Sequence, residues 1–312
     1  MKSFKPLVSI IINTHNSVQY LREAIQSAIN QTYSNVELLV YDNASTVDIN
    51  RIIDEFDYPI RYYRSDLFLT LGQARNEALK LSEGEFIDFL DADDLFQSDK
   101  LEKQVPFFQE PKVGLVYSNS FLLKERNGNW EQKLRHGSTL PEGKIFSDLL
   151  QHNFISFDAA IFRKEAIGED PREWFNEQFN ICTDYDLFLR ISYFYEIRYI
   201  DEGLSQWRDH GTNWSVVKAY LTPVEKLMMI PRILKYAPDM FQLHSKGSKK
   251  YLASIYSDQM NFYWKSGLKK ESILCGLHSL SHSLHGRTFI KFIMVPFISF
   301  EKFSSMKTAW RK

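Results

Sequence analysis

The sequence predicts an α/β fold: a doubly wound, mostly parallel sheet flanked by helices and followed by an all-helical C-terminal extension. Three observations lead there. In the first third of the chain, short apolar runs alternate three times with segments whose apolar residues recur at helical spacing, the pattern of parallel strands joined by crossover helices. Those runs are apolar at nearly every position, as strands covered on both faces are. From about Ser215 the strand pattern stops and only helical spacing remains. The division is therefore a sheet domain over 1–215 and a helical region over 216–312.

Leu7–Ile12 is the first strand. Met1–Ile12 superficially resembles a secretory signal, but its apolar run ends at Asn13, Thr14 and His15 and no small-residue cleavage site follows. Asn16 or Ser17 is placed to cap a helix with Leu21, Ala24, Ile25 and Ala28 on one face. Val36–Tyr41 is the second strand, ending in Asp42-Asn43-Ala44-Ser45. Ile49, Ile52, Ile53 and Phe56 mark a helix, and Ile60–Tyr63 a third strand. The next helix, Gly72–Leu81, turns Ala74, Ala78 and Leu81 inward and stops at Glu83-Gly84. Phe86–Leu90 is a buried strand ending in Asp91-Ala92-Asp93-Asp94. After Asp99 a helix with Leu101, Val105 and Phe108 leads to a strand at Val113–Ser118. Phe121–His136 reads as a hairpin centred on Asn127-Gly128-Asn129, since Asn-Gly favours tight turns. Ile145–Leu150 is a short helix and Ala159–Phe162 a strand. Thr183–Tyr195 is a helix with Leu187, Ile191 and Phe194 on one face; Ile197–Ile200 is the last strand, before a polar, aromatic loop, Gln206–Trp214. In the extension Pro223, Pro231 and Pro238 punctuate helices, and Ile273, Leu277, Leu280 and Leu284 mark an amphipathic one.

Composition excludes several classes. With 38 basic and 39 acidic residues the formal net charge is −1, so no global field recruits nucleic acid. Cys182 and Cys275 give neither a disulfide framework nor metal-ligand spacing, and fit a reducing, cytoplasmic setting. No run approaches the ~18 apolar residues that span a bilayer, so membrane contact would be peripheral.

Chemistry concentrates at the strand ends. Asp91, Asp93 and Asp94 put three carboxylates within one turn of chain, where ligands sit in parallel α/β sheets. Such groups repel unless a cation lies between them, and a hard divalent ion chelating a nucleotide diphosphate would relieve the repulsion. The competing reading has Asp93 and Asp94 capping the next helix. If the strands are parallel neighbours, Thr14-His15-Asn16 and Asp42-Asn43 line the same crevice. Neither a Gly-x-Gly-x-x-Gly nor a Walker loop follows the first strand, so a metal must neutralise the phosphates.

Five blocks together carry a resemblance: Val8-Ser-Ile-Ile-Ile-Asn-Thr-His-Asn16, Gln31-Thr-Tyr33, Glu37-Leu-Leu-Val-Tyr-Asp-Asn-Ala-Ser45, Gly72-Gln-Ala-Arg-Asn76 and Phe89-Leu-Asp-Ala-Asp-Asp94. In this order they resemble the motifs of family 2 glycosyltransferases, over roughly residues 6–215. The resemblance implies a GT-A fold and transfer, with inversion, from a nucleotide-sugar, UDP-linked above all, using Mg²⁺ or Mn²⁺. It implies that Thr14 and Asn16 lie beside the nucleotide and that Asp42 accepts hydrogen bonds from the base. Arg75 then sits on the nucleotide or diphosphate side, with a solvated helix arginine as the alternative. Asp91 contacts ribose or a metal-bound water, Asp93 ligates the metal, and Asp94 is left as the helix cap. Asn76 is the less defined member of its block.

Inverting transfer also needs a general base. In Thr183-Asp184-Tyr185-Asp186, which resembles the acidic helix opening of the family, the base is Asp184, at a helix N-terminus that favours its ionised form. Plain N-capping is the alternative. Thr183 stands where an acid is common and could itself be the N-cap. Trp207-Arg208-Asp209-His210 resembles a late Arg-x-His segment, implying that Arg208 pairs with diphosphate oxygens and that His210 touches the diphosphate or ligates the metal. Trp174, Phe175 and Trp214 either stack on an acceptor sugar or belong to the core. The acceptor implied is a saccharide, free or lipid-linked, in surface polysaccharide or glycoconjugate assembly. Residues 287–312, basic and aromatic, either touch the inner face of the plasma membrane or dock as a terminal helix on the catalytic domain. Two other functions fit parts of the pattern: a non-catalytic sugar-nucleotide-binding subunit and, less well, a nucleotidyltransferase.

Overall fold

The structure, a computed structural model, describes residues 4–126, 129–284 and 286–309. Strand β1 (Val8–Thr14) forms where the sequence is almost wholly β-branched, and Val8, Ile10, Ile11 and Ile12 are fully buried on both of its faces. It pairs in parallel with β2 (Val36–Asp42) on one side and β4 (Phe86–Asp91) on the other, and β2 pairs in parallel with β3 (Ile60–Arg64). Helices α1 (Leu21–Ile29), α2 (Asn50–Ile53) and α3 (Leu71–Leu81) make the crossovers. Register places Thr14 opposite Asp42 and Asn13 opposite Asp91. The polar ends of β1, β2 and β4 therefore form one edge, as the crevice argument requires.

Beyond β4 the sheet becomes mixed. The chain adds β5 (Leu95–Phe96), α4 (Lys100–Gln104), β6 (Val113–Arg126), β7 (Asn129–Leu134), α5 (Phe146–Gln151), β8 (Ala160–Arg163), α6 (Thr183–Phe194) and β9 (Glu196–Asp209). The strand order is β3-β2-β1-β4-β8-β6-β9-β5, with β7 paired to β6. β8 is antiparallel to both β4 and β6, whereas β6 and β9 run parallel. The β6–β7 pairing is the expected hairpin; its turn at Asn127-Gly128 lies outside the described residues.

Several local expectations are corrected. Neither Asn16 nor Ser17 caps α1, which starts at Leu21 after Tyr20, with no side-chain cap. Gly84 is not a left-handed helix stop: a Cβ there would sit 2.5 Å from the Ser9 backbone nitrogen, so close approach to β1 requires the glycine. Leu79, not Leu81, faces fully inward from α3, and Phe194 at the end of α6 is exposed. The segment Gln206–Asp209 is strand rather than loop, because β9 is held by β6 on one edge and β5 on the other.

One charge lies inside the apolar run of β4. Asp88 is fully buried and hydrogen-bonded by the equally buried Lys100 of α4, whose ammonium lies 4.3 Å from the Phe96 ring centre. Burial pushes the Asp88 carboxyl up to about 7, with Lys100 pulling it back down. Lys100→Met, which strands that carboxylate, is expected to cost about 3–5 kcal/mol. The raised native pKa means the folded state holds the proton more tightly than the unfolded one. The wild type itself therefore loses stability as pH rises from about 4 through 7; without Lys100 the native carboxyl holds its proton to still higher pH, so the variant's deficit widens above 7. Urea melts at pH 5 and pH 8 check this.

Ser147–Asn153 and Trp214 onward form a second compact unit. It contains α7 (Trp214–Val217), α8 (Thr222–Tyr236), α9 (Met240–Leu243), α10 (Ser245–Lys265), α11 (Lys269–His282), α12 (Gly286–Met294) and α13 (Phe300–Ala309). Tyr251, Ile255, Met260 and Trp264 of α10 are buried, with Met229 and Ile233 of α8. Pro231 lies inside α8 without ending it. The expected amphipathic face of α11 is reversed: Ser272, Gly276 and Ser279 are buried while Leu277 and Leu284 are exposed. The buried hydroxyls are satisfied, Ser272 donating to the Met260 carbonyl and Ser279 to that of Ala253. Among the described residues no helix is long and apolar enough to cross a membrane.

Candidate active site

The first wall of the crevice is the joined ends of β1 and β2. Asn16 and Ala44, the two non-glycine residues with positive φ among those described, both lie here, at 55° and 54°. Asn tolerates that region; for Ala it is strain held by the surroundings. Asn16 Oδ1 accepts from the Thr46 backbone N–H at 2.8 Å, and its own N–H donates to Ser45 Oγ. Asp42 is fully buried, its oxygens accepting from the Ser45 N–H and the Tyr62 hydroxyl at 2.9 Å each. Each carboxylate oxygen of Asp42 thus accepts one hydrogen bond from the protein, which ties the Ser45 turn and β3 to the end of β2. Thr14 Oγ1 and both polar side-chain atoms of Asn13 are buried without a protein partner. Asn13 belongs to the first motif block but carries no site role in the sequence reading. The signal for it was a polar residue ending an apolar strand, in register with Asp91.

The second wall is the Asp91–Asp94 corner. Asp94 caps no helix: it is buried, and its Oδ1 accepts the backbone N–H of Arg208 at 2.8 Å. Burial, with the nearby charges of Asp158, Asp93 and Asp91, holds its carboxyl well above the usual range. This bond ties β9 to the corner and so brings His210 to Asp93. His210 Nε2 lies 2.7 Å from Asp93 Oδ2, and its Nδ1 lies 2.8 Å from Thr212 Oγ1. A hydroxyl on Nδ1 fixes which ring nitrogen faces the carboxylate, as the outer partner of a metal-binding histidine does. Among the described residues no set of three or more His, Cys, Asp or Glu side chains converges as a metal cage. A carboxylate and an imidazole nevertheless fit Mg²⁺ or Mn²⁺, since such ions keep waters and take further oxygens from substrate phosphates.

Arg75 joins the corner to α6. It is buried rather than solvated, with its guanidinium carbon 3.9 Å from the Phe157 ring centre. One amino group donates to the Thr183 hydroxyl and the other reaches Asp91 Oδ1 at 3.3 Å. Thr183 is therefore not the N-cap of α6, a position Cys182 holds with no side-chain capping hydrogen bond; the Thr183 hydroxyl receives Arg75. Asp184, in the first turn of α6, is near enough for its charge to act on both Arg75 and Asp91. Burial raises the Asp91 carboxyl to about 6, Arg75 drawing it down and Asp93, Asp158 and Asp184 pushing it up. Asn76 holds the segment before α6 at two points, donating to the Phe175 carbonyl and accepting its N–H at 2.9 Å each. Trp174 and Phe175 are core residues.

Arg208 is buried between Tyr20 and Trp130, 4.0 and 5.2 Å from their ring centres. Its Nη2 donates to Glu23 at 2.7 Å, while Nε and Nη1 are buried without a partner. Sequence reading did not single out Tyr20, Glu23 or Trp130, because their pairing with Arg208 is long-range. The structure thus gathers Asp93 with His210, and Asp91 with Arg75 and Asp184, at the end of the parallel strands, the edge on which Asp42 also lies.

A curled mixed sheet with this site at its strand ends and helices after it is the fold of GT-A glycosyltransferases. The sequence profile of Glycosyl transferase family 2 matches residues 9–170, more than half of the chain, and the chain belongs to that family. It is 29% identical over 216 residues to the chondroitin synthase of Escherichia coli, covering 68% of this chain and 30% of that one. The chain thus spans about a third of the length of that relative. Among solved structures it resembles S. aureus TarS in complex with UDP-GlcNAc, at a TM-score of 0.54, 18% identity and 88% coverage of each chain. It also resembles the mannosyltransferase PcManGT from Pyrobaculum calidifontis in complex with GDP-Man and Mn²⁺, at 0.55 and 16%, covering 94% of this chain and 85% of that one.

Proposed function

We propose that the chain transfers a sugar, with inversion, from a nucleoside-diphosphate sugar to an acceptor hydroxyl in the assembly of a surface polysaccharide or glycoconjugate. The observation that supports this most is the juxtaposition of the Asp93–His210 pair with the Asp91–Arg75–Asp184 group at one strand-end edge. Thr14, Asn16 and Asn13 face the nucleoside, on the loop that Asp42 shapes. Asp93 and His210 hold a divalent ion, Mg²⁺ or Mn²⁺, which when bound offsets the negative charge of the diphosphate leaving group. Asp91 takes the ribose or a water of that ion. Arg208 offers its two unpartnered donors to diphosphate oxygens, a task suited to a planar, permanently charged group. Asp184 takes the proton of the acceptor hydroxyl as it attacks, held ionised by the helix N-terminus. Arg75 fixes the distance between that base and the corner through Thr183 and Asp91.

A UDP-sugar is the donor we propose. The acceptor is a saccharide, free or lipid-linked. Calorimetric titration of UDP-, GDP- and dTDP-sugars with and without Mn²⁺, followed by an assay of donor hydrolysis without acceptor, tests the reading. Metal-dependent binding of one nucleotide class with slow hydrolysis is expected. Binding without any hydrolysis or transfer would make the chain a non-catalytic sugar-nucleotide subunit, and no binding would overturn the reading altogether.

A further inference from the structure

Within the helical unit, two neighbouring helices leave apolar side chains on their outer faces. α12 buries Thr288, whose hydroxyl lies 3.2 Å from that of Ser257, and sends Lys291 Nζ to Asn261 Oδ1 of α10 at 2.9 Å. Its Phe289, Ile290 and Ile293 face solvent, and Phe297, just past the helix, is 77% exposed. These residues fall on one stripe at helical spacing. α11 does likewise, burying Ser272, Gly276 and Ser279 and exposing Leu274 and Leu277. The close packing is real on the inner side: a Cβ on Gly276 would lie 2.7 Å from the Phe292 ring. A helix on a water-facing surface normally turns its apolar stripe inward. Here the stripe is outside, and it is too large and continuous along α12 for scattered surface residues.

The charges around it say what covers it. Lys269 Nζ lies 3.3 Å from the Pro296 carbonyl, one residue from Phe297, and Lys265 Nζ lies 5.1 Å from the Phe300 ring centre. Lys270, Arg287 and Lys302 are exposed, and residues 265–302 hold six basic residues against two acidic. A second copy of this chain would bring like charge against like, whereas an anionic lipid surface is complementary. We propose that this face is a lipid-docking surface. Phe289, Ile290, Ile293 and Phe297 enter the boundary between headgroups and acyl chains of an anionic bilayer, while Lys265, Lys269 and Arg287 reach headgroup phosphates. The contact proposed is with the bilayer surface; among the described residues no helix is long and apolar enough to cross it. It is independent of the transfer reaction, and its test needs no turnover.

The test is cosedimentation of the full chain with vesicles of phosphatidylcholine alone or mixed with phosphatidylglycerol. Binding to the mixed vesicles is expected, weakening as salt rises. The double variant I290E/F297E, altered only at exposed side chains, should bind about tenfold less with an unchanged melting temperature. K269E/K270E should lose the preference for anionic over neutral vesicles. Three results would overturn the proposal: no wild-type binding to either vesicle, wild-type binding by I290E/F297E, or vesicle-independent dimers dissolved by I290E/F297E, which would assign the face to a second copy.

Discussion

Asp184→Asn is expected to retain nucleotide-sugar binding and lose about 10²–10⁴ in transfer rate, the usual contribution of a positioned general base. The amide keeps the size of the carboxylate and its place in the first turn of α6, so the helix should form and the crevice should stay closed around the donor. What it loses is basicity. An acceptor hydroxyl is a poor nucleophile near neutral pH, and the N-terminus of α6 favours a charged carboxylate there. A purely structural N-terminal residue would give the opposite pattern, a lower melting temperature with turnover preserved. Donor titration, transfer assay and melting curve on the same preparation separate the two, and retained turnover would place the base elsewhere. Arg75→Lys is the informative companion, because a single ammonium cannot bridge Thr183 and Asp91 as the guanidinium does. It should slow transfer without touching the base itself.

The parallel core was readable because burial on both faces leaves a local trace: β1 and β2 are apolar at nearly every position. The strand-end carboxylates were readable for the same reason, as abrupt polar stops. What local pattern could not show is pairing across the sheet. Asp94 looks like a helix cap, yet its partner is the backbone of Arg208, in a segment whose polar composition reads as loop. That segment is a strand only because β5 and β6 flank it, and only this places His210 on Asp93. The bonds of Asp42 are hidden in the same way: its position at a strand end is local, but its partners, the Tyr62 hydroxyl and the Ser45 N–H, come from the next strand and the following turn. In α11 the leucine spacing marks an amphipathic helix correctly and its buried face wrongly, since tight packing on α10 admits Ser272, Gly276 and Ser279 where leucine would not fit.

Asp93→Asn should abolish the Mn²⁺-dependent tightening of nucleotide binding and lower transfer by about 10²–10³. The argument rests on how few groups the corner offers. Asp91 is turned to Arg75 and Asp94 is engaged with the Arg208 backbone, which leaves Asp93 and His210 as the pair at hydrogen-bond distance. A divalent ion held by these two side chains would take its remaining oxygens from water and substrate, so its affinity would be coupled to that of the nucleotide. Nucleotide titrations with and without Mn²⁺ should therefore diverge in the wild type and coincide in Asp93→Asn. Thr212→Val tests the same geometry one step outward: without the hydroxyl on Nδ1 the imidazole keeps only its Nε2 contacts to Asp93 and Asn213, and metal affinity should fall about 10–100-fold. A wild-type titration indifferent to Mn²⁺ would remove the ion from the site and leave the Asp93–His210 contact as a simple hydrogen bond that braces β9 against the corner.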